Sequence, residues 1–290
     1  MNSYNSVFKD QLFQGKTIIV TGGGSGIGRC TAHELASLGA HVVLIGRKQE
    51  KLEKVQGELR EDGFEADIYA CDIRDEDGVK ELVKDIVAKR GIIHGLVNNA
   101  GGQFPGPLSS ISKKGWEAVV NTNLSGGFLM AREVYLQSMS KHGGSIVNIV
   151  ADMWGGMPGM GHSGAARAGM VNFTQTAAIE WGASGVRVNA VAPGWIASSG
   201  MDQYPPSMKP MIRSMKDAVP LKRMGTESET SAAICFLLSE GANFVSGATL
   251  RVDGAASLGG RVWPLPKAKN SQPWHGFHRA TTPKVLDDEA

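Results

Sequence analysis

A hydroxyl and a guanidinium lie four residues apart in the segment "HSGAARAG", residues 162–169. A helix over this segment presents Ser163 and Arg167 one turn apart on the same face. A serine hydroxyl donates a hydrogen bond well, but it ionises at too high a pH to serve as an efficient general acid. The guanidinium adds a fixed positive charge beside it. The pair therefore predicts a site that stabilises negative charge on an oxygen atom.

A second set of residues with chemical potential is the glycine-rich segment "TGGGSGIG", residues 21–28. It lies between a strand pattern and a helix pattern. Gly22, Gly26 and Gly28 permit a tight turn and bring a dinucleotide pyrophosphate close to the helix N-terminus. The spacing differs from G-x-G-x-x-G, so the position between strand and helix carries the prediction of a dinucleotide site. A purely structural turn is the alternative.

The end of the second predicted strand indicates which dinucleotide binds. It reads Gly46-Arg47-Lys48 and has no carboxylate to accept a ribose 2′-hydroxyl. A guanidinium suits a 2′-phosphate instead, and Ser25 in the glycine loop can add a hydroxyl. We therefore predict that the cofactor is NADPH. The alternative is that Arg47 only begins a solvated helix face.

The elements that must position these residues alternate along the chain. Short apolar, β-branched strands are separated by amphipathic helical stretches, a pattern typical of an α/β fold with a doubly wound parallel sheet covered by helices on both faces. The predicted strands are 16–23, 41–46, 66–73, 91–101, 143–150, 185–194 and 247–254. The predicted helices are 26–38, 47–62, 74–89, 113–139, 163–183 and 227–239.

Composition excludes several functional classes. The 290 residues carry a net charge of only +2, which does not favour binding to nucleic acid. No apolar run is long enough to span a bilayer, and residues 1–10 lack the apolar core of a signal peptide. Three cysteines far apart fit a reducing compartment. We expect a cytoplasmic protein with no membrane partner.

The histidines do not form a metal-binding pattern in the sequence. Only His275 and His278 are closely spaced, and the polar tail around them supplies no further ligand. We therefore expect no metal site.

Several motifs then occur in a fixed order. Cys71-Asp72-Ile73 follows the third predicted strand, Asn98-Asn99-Ala100-Gly101 follows the fourth, Asn123 lies in "NTNLSGGF", and Pro193-Gly194 follows the sixth. With the glycine loop they resemble the short-chain dehydrogenase/reductase family over residues 14–258. The resemblance implies a single Rossmann-like domain with a seven-stranded parallel sheet. It also implies a homotetramer joined through the helices near 113–139 and 163–183.

The resemblance also implies the cofactor contacts. Asp72 would hold the adenine, Asn99 would approach the adenosine ribose, and the backbone of Ile196 would meet the nicotinamide amide. The full expected set is Gly22, Ser25, Gly26, Ile27, Gly28, Arg47, Lys48, Asp72, Ile73, Asn99, Ala100, Gly101, Arg167, Pro193, Gly194 and Ile196.

The chain departs from the family at the catalytic residues. The family uses Asn, Ser, Tyr and Lys, the last two as YxxxK, and of these Asn123 is present. Alignment on Ala168-Gly169 puts Ser163 in the tyrosine position and Arg167 in the lysine position. No tyrosine of the chain begins a YxxxK motif. Losing the general acid commonly costs about 10²–10⁴ in rate, which disfavours reduction of a carbonyl.

Reduction of a conjugated double bond does not require that acid. Hydride addition to Cβ of an α,β-unsaturated thioester gives an enolate, and one well-aimed hydrogen-bond donor is worth about 2.7–4 kcal/mol there. Ser163 is the candidate donor, with Asn123 or a water held by it nearby. The Cα proton comes from solvent or from an acid that the sequence does not identify, with Asp152 and Tyr204 as candidates. The alternative for Asp152 is a capped or salt-bridged loop carboxylate.

"HSGAARAG", "GGQF" and "GGSIVNI" resemble the peroxisomal trans-2-enoyl-CoA reductases, and the 2,4-dienoyl-CoA reductases are close relatives of these. We predict NADPH-dependent reduction of trans-2-enoyl-CoA, with Ser163, Arg167 and Asn123 as catalytic residues and an acyl-CoA thioester as substrate. The alternatives are a ketone or hydroxyl oxidoreductase with an atypical acid, and a catalytically inactive nucleotide-binding protein.

The domain organisation follows from composition. Residues 1–260 form the predicted reductase domain, with a substrate lid at about 196–225. Five methionines in this lid suit either a flexible apolar cover or a core. Residues 261–290 are rich in proline and polar residues, but Trp263 and Trp274 predict an ordered arm on this or a neighbouring subunit. The alternative is a floppy tail.

Overall fold

The computed structural model describes residues 3–258, 266 and 270–286, so Trp263 lies outside the described residues. Seven parallel strands form the central sheet in the order β3-β2-β1-β4-β5-β6-β9. This arrangement confirms the predicted α/β fold. The strands are β1 (Thr17–Thr21), β2 (His41–Gly46), β3 (Ala66–Ala70), β4 (Gly95–Asn98), β5 (Gly144–Ile149), β6 (Val186–Pro193), β7 (Ile196–Ala197), β8 (Gly225–Thr226) and β9 (Thr249–Val252), with β7 and β8 forming a separate pair.

Helices cover both faces of the sheet. On one face the core includes Leu35 and Leu237, and on the other it includes Val83, Met130 and Ala177. All are buried, which explains why the strands read as continuous apolar runs. The helices are α1 (Gly26–Ser37), α2 (Gln49–Glu61), α3 (Glu76–Arg90), α4 (Lys113–Val120), α5 (Gly126–Val134), α6 (Ser140–His142), α7 (Gly161–Trp181), α8 (Lys209–Ser214) and α9 (Glu227–Leu238).

The single helix predicted over 113–139 is wrong in detail. π-helical turns at Asn121–Ser125 and Tyr135–Met139 divide it into α4, α5 and α6. Gly126 follows the first turn, and a Cβ there would lie 2.7 Å from Ile73, so α5 packs closer than a larger residue allows. π-helical turns are frequent at functional sites because the extra residue redirects side chains. Here the turn places Asn123 in the interior.

The strand order reverses between β1 and β4, which opens a crevice at their carboxyl ends. Thr21, at the end of β1, joins the two strands there. Its Oγ1 accepts hydrogen bonds from the backbone N–H groups of Asn99 at 3.0 Å and Ala100 at 2.9 Å. The loop after β4 is thereby fixed beside the glycine loop.

The two ends of the described chain meet outside α1. Tyr4, Cys30 and Phe277 form a small buried cluster, with Trp274 packed against it. Farther along the C-terminal arm (the described residues 270–286), Val285 is buried against Met201 and Ile212, which lie in the segment 196–225 predicted as the lid. Both ends therefore pack on this chain's own core. Within the described residues, no helix combines the length and apolar character that a bilayer crossing requires.

Candidate active site

The glycine loop has the geometry of a phosphate cradle. Gly22 has a φ of +66°, and a Cβ there would lie 2.8 Å from Asn99 Nδ2. A Cβ on Gly28 would lie 2.5 Å from the carbonyl oxygen of Gly22. At Gly26, by contrast, the nearest atom to such a Cβ is Glu227 Oε1 at 3.9 Å, so the space above the loop is open. These residues fit a dinucleotide pyrophosphate because the backbone is exposed where the ligand must approach.

The start of α1 is free to bind an anion. No acidic residue lies in its first turn, and the N-cap Ser25 makes no side-chain capping hydrogen bond. Its hydroxyl is exposed, as are Arg47 and Lys48 after β2. The loop, the helix N-terminus and these two cations form one positively polarised edge of the crevice.

Asp72 is not free at the adenine end of the crevice. Arg74 holds it in an ion pair, with Nη2 2.5 Å from Oδ2 and Nε 2.9 Å from Oδ1, and this pairing lowers the pKa of Asp72. Arg74 was not among the residues predicted from the sequence. The acid and base two positions apart in "DIR" are the only signal that could have identified it.

The remaining predicted cofactor residues lie at the carboxyl edge of the sheet or close behind it. Ile27 is half-buried in α1, and Ile73 packs against Gly126. Pro193 ends β6. Gly194 donates its N–H to Val252 at 3.0 Å, and Ile196 lies in β7.

The loop 99–104 after β4 brings the predicted catalytic residues together. Asn123 bonds twice to the backbone of Gly102: Nδ2 donates to the carbonyl and Oδ1 accepts from the N–H, both at 2.9 Å. A Cβ on Gly101 would lie 2.8 Å from both Arg167 Nη2 and Asn123 Oδ1. Asn123 therefore holds the loop in position, and Gly101 is the residue that lets Arg167 approach.

Arg167 is a half-buried cation whose guanidinium Nε is shielded from water. Its Nη1 donates to the carbonyl oxygen of Ile149, while its buried Nε has no hydrogen-bond partner among the described residues. Burial lowers the pKa of Arg167 to about 10, so the group is still charged at neutral pH. An unpaired buried donor is costly, and a ribose hydroxyl or a substrate oxygen at this place would satisfy it.

Ser163 is completely buried beneath the same loop. Its Oγ donates to Gln103 Oε1 at 2.7 Å, and Gln103 Nε2 in turn donates to the hydroxyl of Tyr204 at 3.1 Å. The chain of hydrogen bonds runs from α7 to the lid. Gln103 was missed as a site residue, although it lies within the "GGQF" segment.

His162 lies beside Ser163 and has a defined orientation. Its Nδ1 accepts a hydrogen bond from the backbone N–H of Ser163 at 2.9 Å, so Nε2 carries the ring proton. That nitrogen is buried with no partner among the described residues. The ring packs edge-on against Phe104 at 4.5 Å, which closes the loop over the start of α7.

The two candidate proton sources differ in their connection to Ser163. Tyr204 is linked to it through Gln103. Asp152 has no described hydrogen bond to Ser163 or Gln103; burial and the neighbouring Asp253 raise its pKa. The described hydrogen bonds therefore connect Tyr204, and not Asp152, to Ser163.

A glycine cradle at the switch point of a parallel sheet, next to a buried cation and hydroxyl, defines a nicotinamide-dependent oxidoreductase of the Rossmann type. The chain belongs to the short-chain dehydrogenase/reductase family. Residues 22–257 match the family described as enoyl-(acyl carrier protein) reductase.

Individual relatives span several reactions. The chain is 37% identical over 247 residues to a probable 2,4-dienoyl-CoA reductase of Bacillus subtilis, covering 84% of this chain and 97% of the relative. It is 34% identical to a 3-oxoacyl-(acyl-carrier-protein) reductase of Staphylococcus epidermidis, covering 82% and 98%. A solved structure, the citronellol catabolism dehydrogenase of Pseudomonas aeruginosa, is 67% identical with a TM-score of 0.80, covering 88% of this chain and 100% of that one.

Proposed function

We propose that the protein reduces the 2,3 double bond of trans-2-enoyl-CoA thioesters with NADPH. The observation that carries this proposal is the environment of Ser163. Its hydroxyl donates to an amide carbonyl oxygen at 2.7 Å, next to the charged Arg167. A thioester carbonyl in the place of the Gln103 amide would receive the same hydrogen bond, and that bond strengthens as negative charge develops.

The residues of the chain then have defined tasks. When bound, the nicotinamide supplies hydride to Cβ of the substrate. Gln103 must first swing away from Ser163, so that the serine hydroxyl can donate to the thioester oxygen, which becomes the enolate oxygen. Arg167 places positive charge nearby and Asn123 holds the loop. Tyr204, released from Gln103 by the same movement, is the group that can protonate Cα.

The preference for NADPH rests on charge. Arg47 and Lys48 are exposed at the end of β2, and Ser25 presents a free hydroxyl across the glycine loop. A 2′-phosphate would receive charge-assisted hydrogen bonds from Arg47, whereas a bare 2′-hydroxyl would find no carboxylate at the end of β2.

The acyl group is best accommodated by apolar side chains near α7. Phe104 and Leu108 are both large and exposed; Phe104 packs on His162, and Leu108 lies against Gly161. The 67% identity to a citronellol catabolism dehydrogenase favours a methyl-branched, terpenoid-like acyl chain, because citronellol has a 3,7-dimethyl skeleton.

A second candidate is oxidation of a branched primary alcohol, and the same relative favours it because it is named a dehydrogenase. This reaction needs a base to accept the hydroxyl proton. Ser163, the hydroxyl that would face the alcohol oxygen, is a poor base, whereas enoyl reduction requires it only to donate a hydrogen bond. The geometry therefore supports it less well than enoyl reduction.

Assembly and location belong to the same proposal. We propose a cytoplasmic homotetramer built through α4, α5 and α7. Exposed apolar side chains on or next to these helices support such contacts: Phe128, Leu136 and Ile179, the last 82% exposed. Light scattering of the purified protein measures the mass directly, and a monomer would contradict the proposed tetramer.

The test compares substrates under one set of conditions. We expect NADPH consumption with crotonyl-CoA, decenoyl-CoA and a 3-methyl-branched 2-enoyl-CoA, and none with acetoacetyl-CoA. Activity restricted to acetoacetyl-CoA, or to citronellol with NADP⁺, would contradict enoyl reduction and favour the alcohol–carbonyl reaction. Tight NADPH binding without turnover on any of them would identify a nucleotide-binding protein that has lost catalysis.

A further inference from the structure

A cluster of two histidines and one aspartate lies far from the crevice, on the outer side of α1. His33 comes from α1, Asp62 follows α2, and His278 comes from the C-terminal arm. His33 Nδ1 lies 3.0 Å and His278 Nε2 lies 2.9 Å from the same oxygen, Asp62 Oδ2. The three atoms all lie within 4.8 Å of one another. Fold contacts, not sequence spacing, bring them together.

The cluster is dry. The side chains of His33 and Asp62 are 1% and 3% exposed, and that of His278 is 9% exposed. Both ring nitrogens of His278 are buried without a hydrogen-bond partner among the described residues. Its Nε2 is close to Asp62 but lacks the alignment of a hydrogen bond. A buried imidazole in this state is costly unless another group binds one of its nitrogens.

His33 faces a carboxylate on each side. Nδ1 faces Asp62, and Nε2 lies 3.4 Å from Glu58 Oε2. A neutral imidazole has only one N–H, so it can satisfy only one of these acceptors. A cation bound at Nδ1 is compatible with both contacts, because Nε2–H then donates to Glu58. A carboxylate behind a ligating histidine is the usual outer shell of a metal site.

The aspartate is held in the orientation that such a site requires. Arg279 Nη2 lies 2.6 Å from Oδ1 of Asp62, so this oxygen is already occupied. Oδ2, which receives only a longer bond of 3.2 Å from Arg279 Nε, faces the two imidazoles. The arginine thus favours single-oxygen ligation and stabilises the charged carboxylate.

We propose that His33 Nδ1, Asp62 Oδ2 and His278 Nε2 bind one Zn²⁺ ion. Zinc accepts imidazole nitrogen and carboxylate oxygen at about 2.0–2.2 Å in tetrahedral geometry, and a water molecule completes four ligands here. The ion would fix the C-terminal arm to α1 and to the end of α2. This inference replaces our sequence-based expectation of no metal site, which considered only ligands near His275 and His278 in the chain.

The test uses the full-length protein, stripped with a chelator and titrated with Zn²⁺ and Co²⁺. We expect one ion per chain, a rise in melting temperature with Zn²⁺, and the visible absorption of tetrahedral Co²⁺. His278→Ala should abolish the Co²⁺ spectrum and the thermal shift. The matched control is His275→Ala, which removes an exposed histidine of the same arm. It should leave both signals unchanged.

A second variant protects the test against misfolding. Glu58→Gln keeps all three ligands but weakens the outer-shell partner, so Zn²⁺ affinity should fall about 10–100-fold. Circular dichroism and NADPH binding verify that each variant is folded. The proposal is wrong if the folded wild-type chain takes up no stoichiometric zinc, or if His278→Ala binds zinc as tightly as the wild type does. None of these readouts depends on the reaction proposed for the crevice.

Discussion

At the scale of single residues, the proposed enoyl reduction depends most on Ser163. Its only role in enoyl reduction is to donate a hydrogen bond to the developing enolate, so Ser163→Ala should reduce kcat by about 10²–10³. The proposed cofactor site is the glycine loop, which Ser163 does not contact, so the Kd for NADPH should hardly change. Steady-state kinetics with an enoyl-CoA and fluorescence titration with NADPH measure the two effects.

The matched control removes a serine hydroxyl that, unlike Ser163, makes no contact with Gln103. Ser3→Ala, which removes an exposed hydroxyl near the N-terminus, should have no effect on either quantity. Unchanged turnover in Ser163→Ala would remove the serine from the mechanism.

The proposed preference for NADPH over NADH depends on Arg47. A hydrogen bond to a charged group contributes about 1.5–3 kcal/mol, so Arg47→Ala should raise the Kd for NADPH roughly 10–100-fold. The Kd for NADH should change little, because NADH has no phosphate at this position. Arg60→Ala, which removes an exposed cation at the far end of α2, is the matched control. Equal losses for both cofactors would show that Arg47 does not recognise the 2′-phosphate.

How far the sequence predicts these residues depends on how local their signal is. Ser163 and Arg167 could be paired because four-residue spacing on a helix is a local property. Gln103 could not, because its role comes from partners that only the folded chain brings near, whereas Arg74 had a local signal in its spacing from Asp72. Gln103 meets Tyr204 across 101 positions of sequence.

At the scale of elements, β-branched runs were sufficient to find all seven strands of the main sheet, whereas the π-helical turn at Asn121–Ser125 escaped detection. Apolar periodicity continues through it, so the pattern of a single helix survives. The close approach of Gly126 to Ile73 that accompanies the turn is a tertiary contact.

The start of α9 lies against the glycine loop and carries a titrating group. Burial raises the pKa of Glu227 to about 7, and Arg29 opposes this shift. An acid whose pKa is raised on folding stabilises the fold at low pH. That contribution is complete below the unfolded pKa of about 4.3 and is lost as the pH rises to about 7.

Glu227→Gln should not lose this stability as the pH rises. The free energy of unfolding of the variant, relative to the wild type, should therefore be about 1–2 kcal/mol larger at pH 8 than at pH 4.5. Urea unfolding at the two pH values measures the change. Glu65→Gln, at an exposed glutamate, should differ in stability from the wild type by the same amount at both pH values. A gain for Glu227→Gln that does not grow with pH would contradict the raised pKa.

At the scale of the whole molecule, the C-terminal arm joins regions that are distant in sequence. Phe277 packs with Tyr4 near the N-terminus, and Val285 packs with Met201 and Ile212 of the lid. Trp274 indicated that the arm had something to pack against. The periodicity of the sequence could not identify the segments that the arm packs against, because contacts between distant segments do not change the pattern of neighbouring residues.

The lid depends on this arm for part of its order. Val285 is 4% exposed; its N–H donates to Asp202 Oδ1 at 3.1 Å, and its carbonyl accepts from Arg213 Nε at 2.9 Å. The lid methionines Met201, Met208, Met215 and Met224 belong to the same apolar cluster. They therefore act as the packing surface between lid and arm.

Val285→Asp puts a charge into that cluster, and the cost of burying it should favour opening of the lid. If opening becomes easier by about 1.4 kcal/mol, trypsin should cleave after Arg213 and Lys216 about tenfold faster, because cleavage follows the population of the open form. Lys284→Ala, at the exposed neighbouring position, should cleave at the wild-type rate. Since the glycine loop lies outside the cluster, NADPH should bind both variants equally. An unchanged cleavage rate in Val285→Asp would mean that the lid holds its conformation without the arm.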